Sequence, residues 1–318
     1  MELMVSLLLG LLIVGAATTI FLANRSSMRL VEGAARLQEN ARFAVELMGR
    51  DIHEAAGMVC GGDLPQVNIV DASKTLVNWA TWDKGLLGNG FGTGTGQLTA
   101  PSAATAQIAN TDSVMVWSAS MGTPVQLVAH DLAGATFTTA SNHGFSVGDV
   151  VTACDGTQVA TFEVASKTAK TVTYTNPSVN GITHTFSPSG TGNQAAGFLN
   201  QLSAHAWYVG KSTSGDTSSP NSLRRISMTS MDANTGLSND EMVENVKSMA
   251  ITYLTADSWG TPASSYVAAA SVTDWTAVVA ARVTLTIISP DKLGTDGSAS
   301  KQLSRDIPFT VGLRRRVQ

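Results

Sequence analysis

The pattern of hydrophobic and polar positions changes twice along this 318-residue chain. From Leu3 to Ala23 no side chain is charged, and the apolar run is broken only by Ser6, Gly10, Gly15, Thr18 and Thr19. At about 1.5 Å per residue such a run, as a helix, crosses about 30 Å of hydrocarbon. A cleaved secretory signal would place a basic segment ahead of a shorter apolar core. Only Met1 and Glu2 precede the run, so a membrane anchor is the better reading. From Arg25 to Ala56 there is no proline. Leu30, Ala34, Leu37, Ala41, Ala44, Met48, Ile52 and Ala55 step by three and four into one stripe. Arg29, Glu32, Arg36, Glu39, Arg42, Glu46 and Arg50 fill the other faces, several at i,i+3 or i,i+4 with opposite sign. Gly57, then Gly61 and Gly62, are expected to stop the helix.

After Gly62 the helical period disappears. Short runs rich in Val, Thr, Ile, Phe and Tyr alternate with Gly, Asn, Asp and Pro, which predicts strands at 113–118, 149–152, 159–164, 171–175, 205–209, 223–228, 246–254 and 277–288. In the last of these, Val283, Leu285 and Ile287 alternate with Thr284, Thr286 and Ile288, the period of a strand with one face on a core. That core is expected to pack on the helix near Ala41 to Ala55. Residues 85–105, with Gly88, Gly90, Gly92, Gly94 and Gly96, are low in charge and read as a flexible loop. The expected fold is therefore α+β, a long N-terminal helix on an antiparallel β domain. It divides at 1–24 (membrane-spanning half), 25–57 (amphipathic half) and 58–318 (β-rich globular part).

Composition agrees with an exported protein. Charged residues make up 14%, well below the quarter or so of ordinary soluble domains, and Gly, Ser, Thr and Ala fill the difference. A net charge of −4 leaves no electrostatic footprint for nucleic acid; the one basic cluster, Arg314, Arg315 and Arg316, reads as a solvated strand end or a patch for an acidic partner. The two cysteines, Cys60 and Cys154, read first as one disulfide in an exported chain, with two separate buried thiols as the alternative.

Two anomalies stand at the N-terminus. Glu2 is an acid at the edge of an apolar helix, where an unpaired charge is expensive; it either sits among lipid headgroups or meets a partner charge. Arg25 and Arg29, on the C-terminal side of the span, would place that side in the cytoplasm, whereas the cysteines and the Ser/Thr/Gly-rich region place it outside. A short basic leader ahead of Met1 would remove the conflict.

The opening Met1-Glu2-Leu3-Met4-Val5-Ser6-Leu7-Leu8-Leu9-Gly10 resembles the start of a type IV pilin or pseudopilin just inside the leader-peptidase site, with the leader, its glycine and the following phenylalanine absent. Arg36-Leu37-Gln38-Glu39-Asn40-Ala41-Arg42-Phe43-Ala44, then Arg50-Asp51-Ile52 and Ala55-Ala56-Gly57, narrow the resemblance to minor pilins of the PilW type. So do Phe145 to Val151, Cys154-Asp155, Phe162-Glu163-Val164, Trp207-Tyr208-Val209, Leu223-Arg224-Arg225, Met242 to Val246, Ala281-Arg282-Val283 and the closing Phe309 to Arg314. Residues 76–111 and 167–199 match nothing in that pattern. The resemblance implies a membrane-anchored subunit that starts or caps a type IV pilus. Its expected partners are other minor pilins, the major pilin, the inner-membrane assembly platform and a tip adhesin. It implies no cofactor and no catalysis. The carboxylate of Glu2 would pair with the N-terminal amine of a neighbouring subunit, and Gly10 and Gly15 would permit close helix approach. The subunit would reside in the inner membrane with its β domain periplasmic, then at the pilus tip. A J-type pseudopilin of a type II secretion system, and an adhesive tip module with exposed aromatics at Trp79, Trp82 or Trp259, are the alternatives.

Three patterns imitate chemistry. Gly144-Phe145-Ser146-Val147-Gly148 has the letters of a nucleophile elbow, but a strand follows where a helix is needed, so Ser146 is expected in a plain turn. His53, His130, His143, His184 and His205 show no metal-ligand spacing. Asp232-Ala233-Asn234-Thr235-Gly236, with Asp240 and Glu241, lacks the ligand spacing of a calcium loop and reads as a turn.

Overall fold

A computed structural model describes residues 2–57, 60, 64–73, 79, 85–89, 106–119, 124–175, 181–186, 197–213, 221–231, 236–257, 260–292 and 302–313. It opens with one helix, α1 (Glu2–His53), the only described helix long and apolar enough to cross a membrane. The strands follow in order. They are β1 (Gln66–Asn68), β2 (Leu86–Asn89), β3 (Ser113–Ser118), β4 (Val125–Asp131), β5 (Thr136–Thr139) and β6 (Val150–Cys154). Next come β7 (Val159–Glu163), β8 (Ser166–Lys167), β9 (Thr171–Thr173), β10 (Phe198–Gln201), β11 (Ser203–Lys211) and β12 (Asn221–Met228). The last are β13 (Leu237–Glu244), β14 (Val246–Thr255), β15 (Val267–Ala268), β16 (Val278–Lys292) and β17 (Gln302–Gly312).

The strands form three sheets: a middle sheet ordered β13-β12-β11-β3-β2, an outer sheet ordered β1-β7-β6-β10-β4-β5-β9-β8, and a four-stranded sheet ordered β15-β14-β16-β17. Pairing is antiparallel except for β1 with β7. The α+β expectation holds.

The helical stripe finds its core from Leu37 onward. Leu37, Ala41, Ala44, Met48, Ile52 and Ala55 are buried in one cluster with Leu86, Val114, Trp207 and Leu223 of the middle sheet and Ile251, Val283, Leu285 and Ile287 of the four-stranded sheet. Leu30, expected in the same stripe, is exposed, because α1 first meets the β domain at Gly33. The helix also ends earlier than the glycines suggested, at His53. The left-handed residue beyond it is Ala56 (φ 59°), a conformation costing an L-residue roughly 1–2 kcal/mol. What holds it there is the middle sheet: Ala56 N–H donates to Trp117 O (2.9 Å) and Ala119 N–H to Gly57 O (2.9 Å).

The central strands β3 and β11 are buried on both faces. Val114, Val116 and Trp207 point at the helix; Met115, Trp117, Ala206, Tyr208 and Ile226 point at the outer sheet. Residues 85–89 are not the loop their glycines suggested. Gly85 (φ 66°) leaves no room beside Ala56, and a Cβ on Gly88 would stand 2.1 Å from the Tyr253 hydroxyl. These glycines mark close backbone approach within a strand pairing with β3. Residues 90–105 lie outside the described residues.

The chain leaves the middle sheet after Ser118, builds β4 to β10 of the outer sheet, and returns at Ser203, which pairs directly with Ser118. The outer sheet has its own core, with Leu127, Phe137, Phe162, Val172, Tyr174, Phe186 and Leu199 at its centre. Cys60, just past the helix, is bonded to Cys154 on β6 with the Cα atoms 6.0 Å apart.

Candidate assembly site

The first half of α1 packs against none of the described residues of the β domain. Every side chain from Leu3 to Asn24 is exposed, including Leu7, Leu11, Ile13, Ile20 and Phe21, so an apolar column extends from the domain with no covering layer. Its three hydroxyls bond within the helix. Ser6 Oγ donates to Leu3 O (3.0 Å), Thr18 Oγ1 to Val14 O (2.9 Å) and Thr19 Oγ1 to Ala16 O (2.8 Å), which removes the cost of placing hydroxyls in hydrocarbon. An added Cβ at Gly10 or Gly15 would meet nothing within 4 Å. At 3.6 residues per turn the two glycines stand about 140° apart around the axis, so they would admit two different neighbours. Glu2 begins the helix, and its side chain lies outside the described residues.

A buried polar junction joins this column to the β domain. Asp51, in the last turn of α1, is 5% exposed. Its Oδ2 accepts from Trp207 Nε1 (2.9 Å), 156 residues away, and lies 3.8 Å from Arg225 Nη1. Trp207 and Arg225 face each other across β11 and β12, with the guanidinium over the indole at 5.7 Å. Two pairs further along, His205 sits between Ser203 Oγ (2.8 Å) and Ser227 Oγ (2.9 Å); burial holds its pKa below the ordinary value although Asp51 attracts the proton. His53 Nδ1 lies 2.9 Å from Gly312 O at the end of β17, which makes it the donor there. Asn40 Nδ2 donates to Glu244 O (3.2 Å). The second half of the helix is thus bound to sheet residues along its length and at its end.

The chemical decoys resolve as structure. Asp149 N–H donates to Ser146 O (3.1 Å), Gly148 takes φ 89°, and β6 follows at once, so Ser146 lies in a type II turn. Among the described residues no three His, Cys, Asp or Glu side chains gather as a metal site would require. Asp240 and Glu241 belong to β13, where Glu241 accepts from Ser212, Thr213 and the buried Arg224. Asp232 to Thr235 and Arg314 to Arg316 lie outside the described residues, as do Trp82 and Trp259. Trp79 is 7% exposed and its carbonyl accepts from Trp117 Nε1 (2.9 Å), so it is not a surface aromatic.

The apolar column and the cysteines are legible in the sequence; the meeting of Asp51, Trp207 and Arg225 is not. The one signal was an acid on the apolar side of an amphipathic helix.

Residues 206–312 match the family model described as Type IV Pilus-assembly protein W. No curated protein and no solved structure matches the chain. The matched segment runs from β11 to β17, covering the middle-sheet strands that carry Trp207 and Arg225 and the whole four-stranded sheet beneath α1. A membrane-length helix packs on that segment, and the match supports a protein related to type IV pilus assembly, similar to PilW over residues 206–312.

Proposed function

We propose that this protein is a minor pilin, a non-enzymatic subunit that primes or caps a type IV pilus. The observation that carries this reading is the bare column from Leu3 to Asn24, rigidly continuous with the helix that the β domain grips. An uncovered apolar helix must be surrounded either by lipid or by other helices. A subunit that passes from membrane to filament exchanges one for the other. Before assembly the column would span the inner membrane with the β domain in the periplasm; afterwards it would pack among the helices of other minor pilins and the major pilin. Gly10 and Gly15 would allow those helices to approach. Glu2 would pair with a neighbouring subunit's N-terminal amine, because a carboxylate surrounded by apolar helices finds a compensating charge in one register only.

A second reading, an adhesive module displayed at the pilus tip, is favoured by the outer sheet. It is built by chain that departs and returns between two adjacent strands and has a core of its own. A J-type pseudopilin of a type II secretion system shares the same architecture.

The experiment is an in-membrane crosslinking pull-down comparing wild type with Glu2→Ala. Recovery of other pilins with wild type, together with loss of surface pili in Glu2→Ala cells, is the expected outcome. Normal pili with failed general secretion would assign the protein to a secretion system instead. No change in either would leave Glu2 as a headgroup residue and remove the register role.

A further inference from the structure

Residues 181–186 lie as a strap across the aromatic core of the outer sheet. Ile182 and Phe186 are buried, while Thr183, His184 and Thr185 face solvent. Phe186 stands edge-on to both His130 and Phe137, with ring centres 5.5 Å away in each case. Polar ties join the strap to the sheet at two places. Gln158 Nε2 makes long bonds to His184 O (3.5 Å) and Thr185 O (3.3 Å), and Phe186 N–H donates to His130 Nδ1 (3.0 Å).

That last bond sets the protonation state of His130. A nitrogen accepting from a backbone N–H carries no proton, so the ring proton is on Nε2, which donates to Tyr174 Oη (2.8 Å). The ring is stacked on Phe137 at 4.2 Å. A second proton at Nδ1 would set one donor against another and place a charge in a half-buried aromatic site. The charged and titratable groups around it are Asp131 on β4 itself, Asp155 in the β6–β7 turn, Tyr174 after β9 and His184 on the strap. We propose that His130 latches residues 181–186 to the outer sheet and that acid releases this strap before the rest of the domain unfolds.

The direction follows from linkage. Burial lowers the pKa of His130 from 6.5 to about 4, although Asp131 and Asp155 both pull it upward. Above 6.5 the ring is neutral with the strap closed or open. Between 6.5 and 4 the open form takes up a proton that the closed form refuses, so closure weakens steadily as pH falls through this window. Full expression of that difference would raise the opening constant by about two-hundredfold at pH 3.5. Solvent screening of a half-exposed ring reduces the expectation to about tenfold or more.

The test is hydrogen exchange of the full-length protein in detergent, comparing wild type with His130→Asn at each pH. Asparagine keeps an acceptor near Nδ1 and does not titrate. At pH 7 the two should protect residues 181–186 equally. At pH 3.5 the wild-type strap should exchange about tenfold faster or more than the variant, while β14 and β16 stay protected in both. Equal protection at both pH values, or loss in both proteins alike, overturns the proposal. Should His130→Asn not fold, wild type alone decides: strap protection, corrected for intrinsic exchange, falling between pH 6.5 and 4 ahead of β14 and β16 supports the latch, and simultaneous loss everywhere overturns it.

Discussion

Asp51 is the residue on which the helix–sheet junction turns. Its carboxylate receives the Trp207 indole N–H inside an apolar interface and faces the Arg225 guanidinium at a longer distance. Removing one member of such a set leaves a buried donor without an acceptor, which costs about 1–3 kcal/mol, and more where a charge is involved. Asp51→Ala should therefore lower stability by about 2–4 kcal/mol, whereas Asp51→Asn, which keeps an acceptor for Trp207, should cost less. Thermal unfolding followed by circular dichroism in detergent distinguishes them; equal midpoints for both variants and wild type would show that the apolar stripe holds the helix unaided.

Among the elements, β17 shows how an exposed edge is kept from pairing with another chain. It has eleven residues and, among the described residues, one strand neighbour, β16. Leu303 N–H donates to Ser289 Oγ and Leu313 N–H to Val279 O, so the odd-numbered positions are turned toward β16. The even-numbered positions therefore present their backbone groups outward, and Gly312 O, one of them, is occupied by His53. Pro308 falls in this outward set, opposite Thr284, and removes the central N–H of the open edge. Pro308→Val restores that donor without touching the ladder to β16. The expected result is an unchanged fold with increased self-association, measured by light scattering against concentration. A variant as monodisperse as wild type would show that the exposed Arg305 and Asp306 protect the edge without the proline.

For the whole molecule, anchoring and folding are separate. None of the side chains from Leu3 to Asn24 is buried, and the core begins at Gly33 and Leu37. A protein lacking residues 1–24 should be water-soluble and unfold at the same temperature as the full chain in detergent. A clear drop in its midpoint would mean that the column stabilises the domain through contacts beyond those present in the single chain. The disulfide acts at the same scale. It ties the chain just past the helix to the outer sheet, and a loop closed over 94 residues is worth roughly 4–5 kcal/mol in the chain-entropy account.

What the sequence determined by itself was everything carried by local periodicity. The apolar run and the stripe from Leu37 to Ala55 set the helix and its buried face, and the residues of β3 were legible at their observed bounds, Ser113–Ser118. The cysteine pairing was legible too, because only two cysteines compete for it. Tertiary structure decided where local pattern misleads. Residues 85–89 read as loop because glycine signals flexibility in one dimension, whereas here it permits contact with Ala56 and Tyr253. The strands β13 and β17 were hidden by their residues: β13 carries the polar run Ser238 to Glu241, and Pro308 in β17 reads against a strand although Ile307, Phe309 and Val311 alternate around it. The junction of Asp51 with Trp207, and the latch of His130 on Phe186, join residues 156 and 56 positions apart. No period along the chain encodes such a meeting; it exists only once packing has brought the elements together.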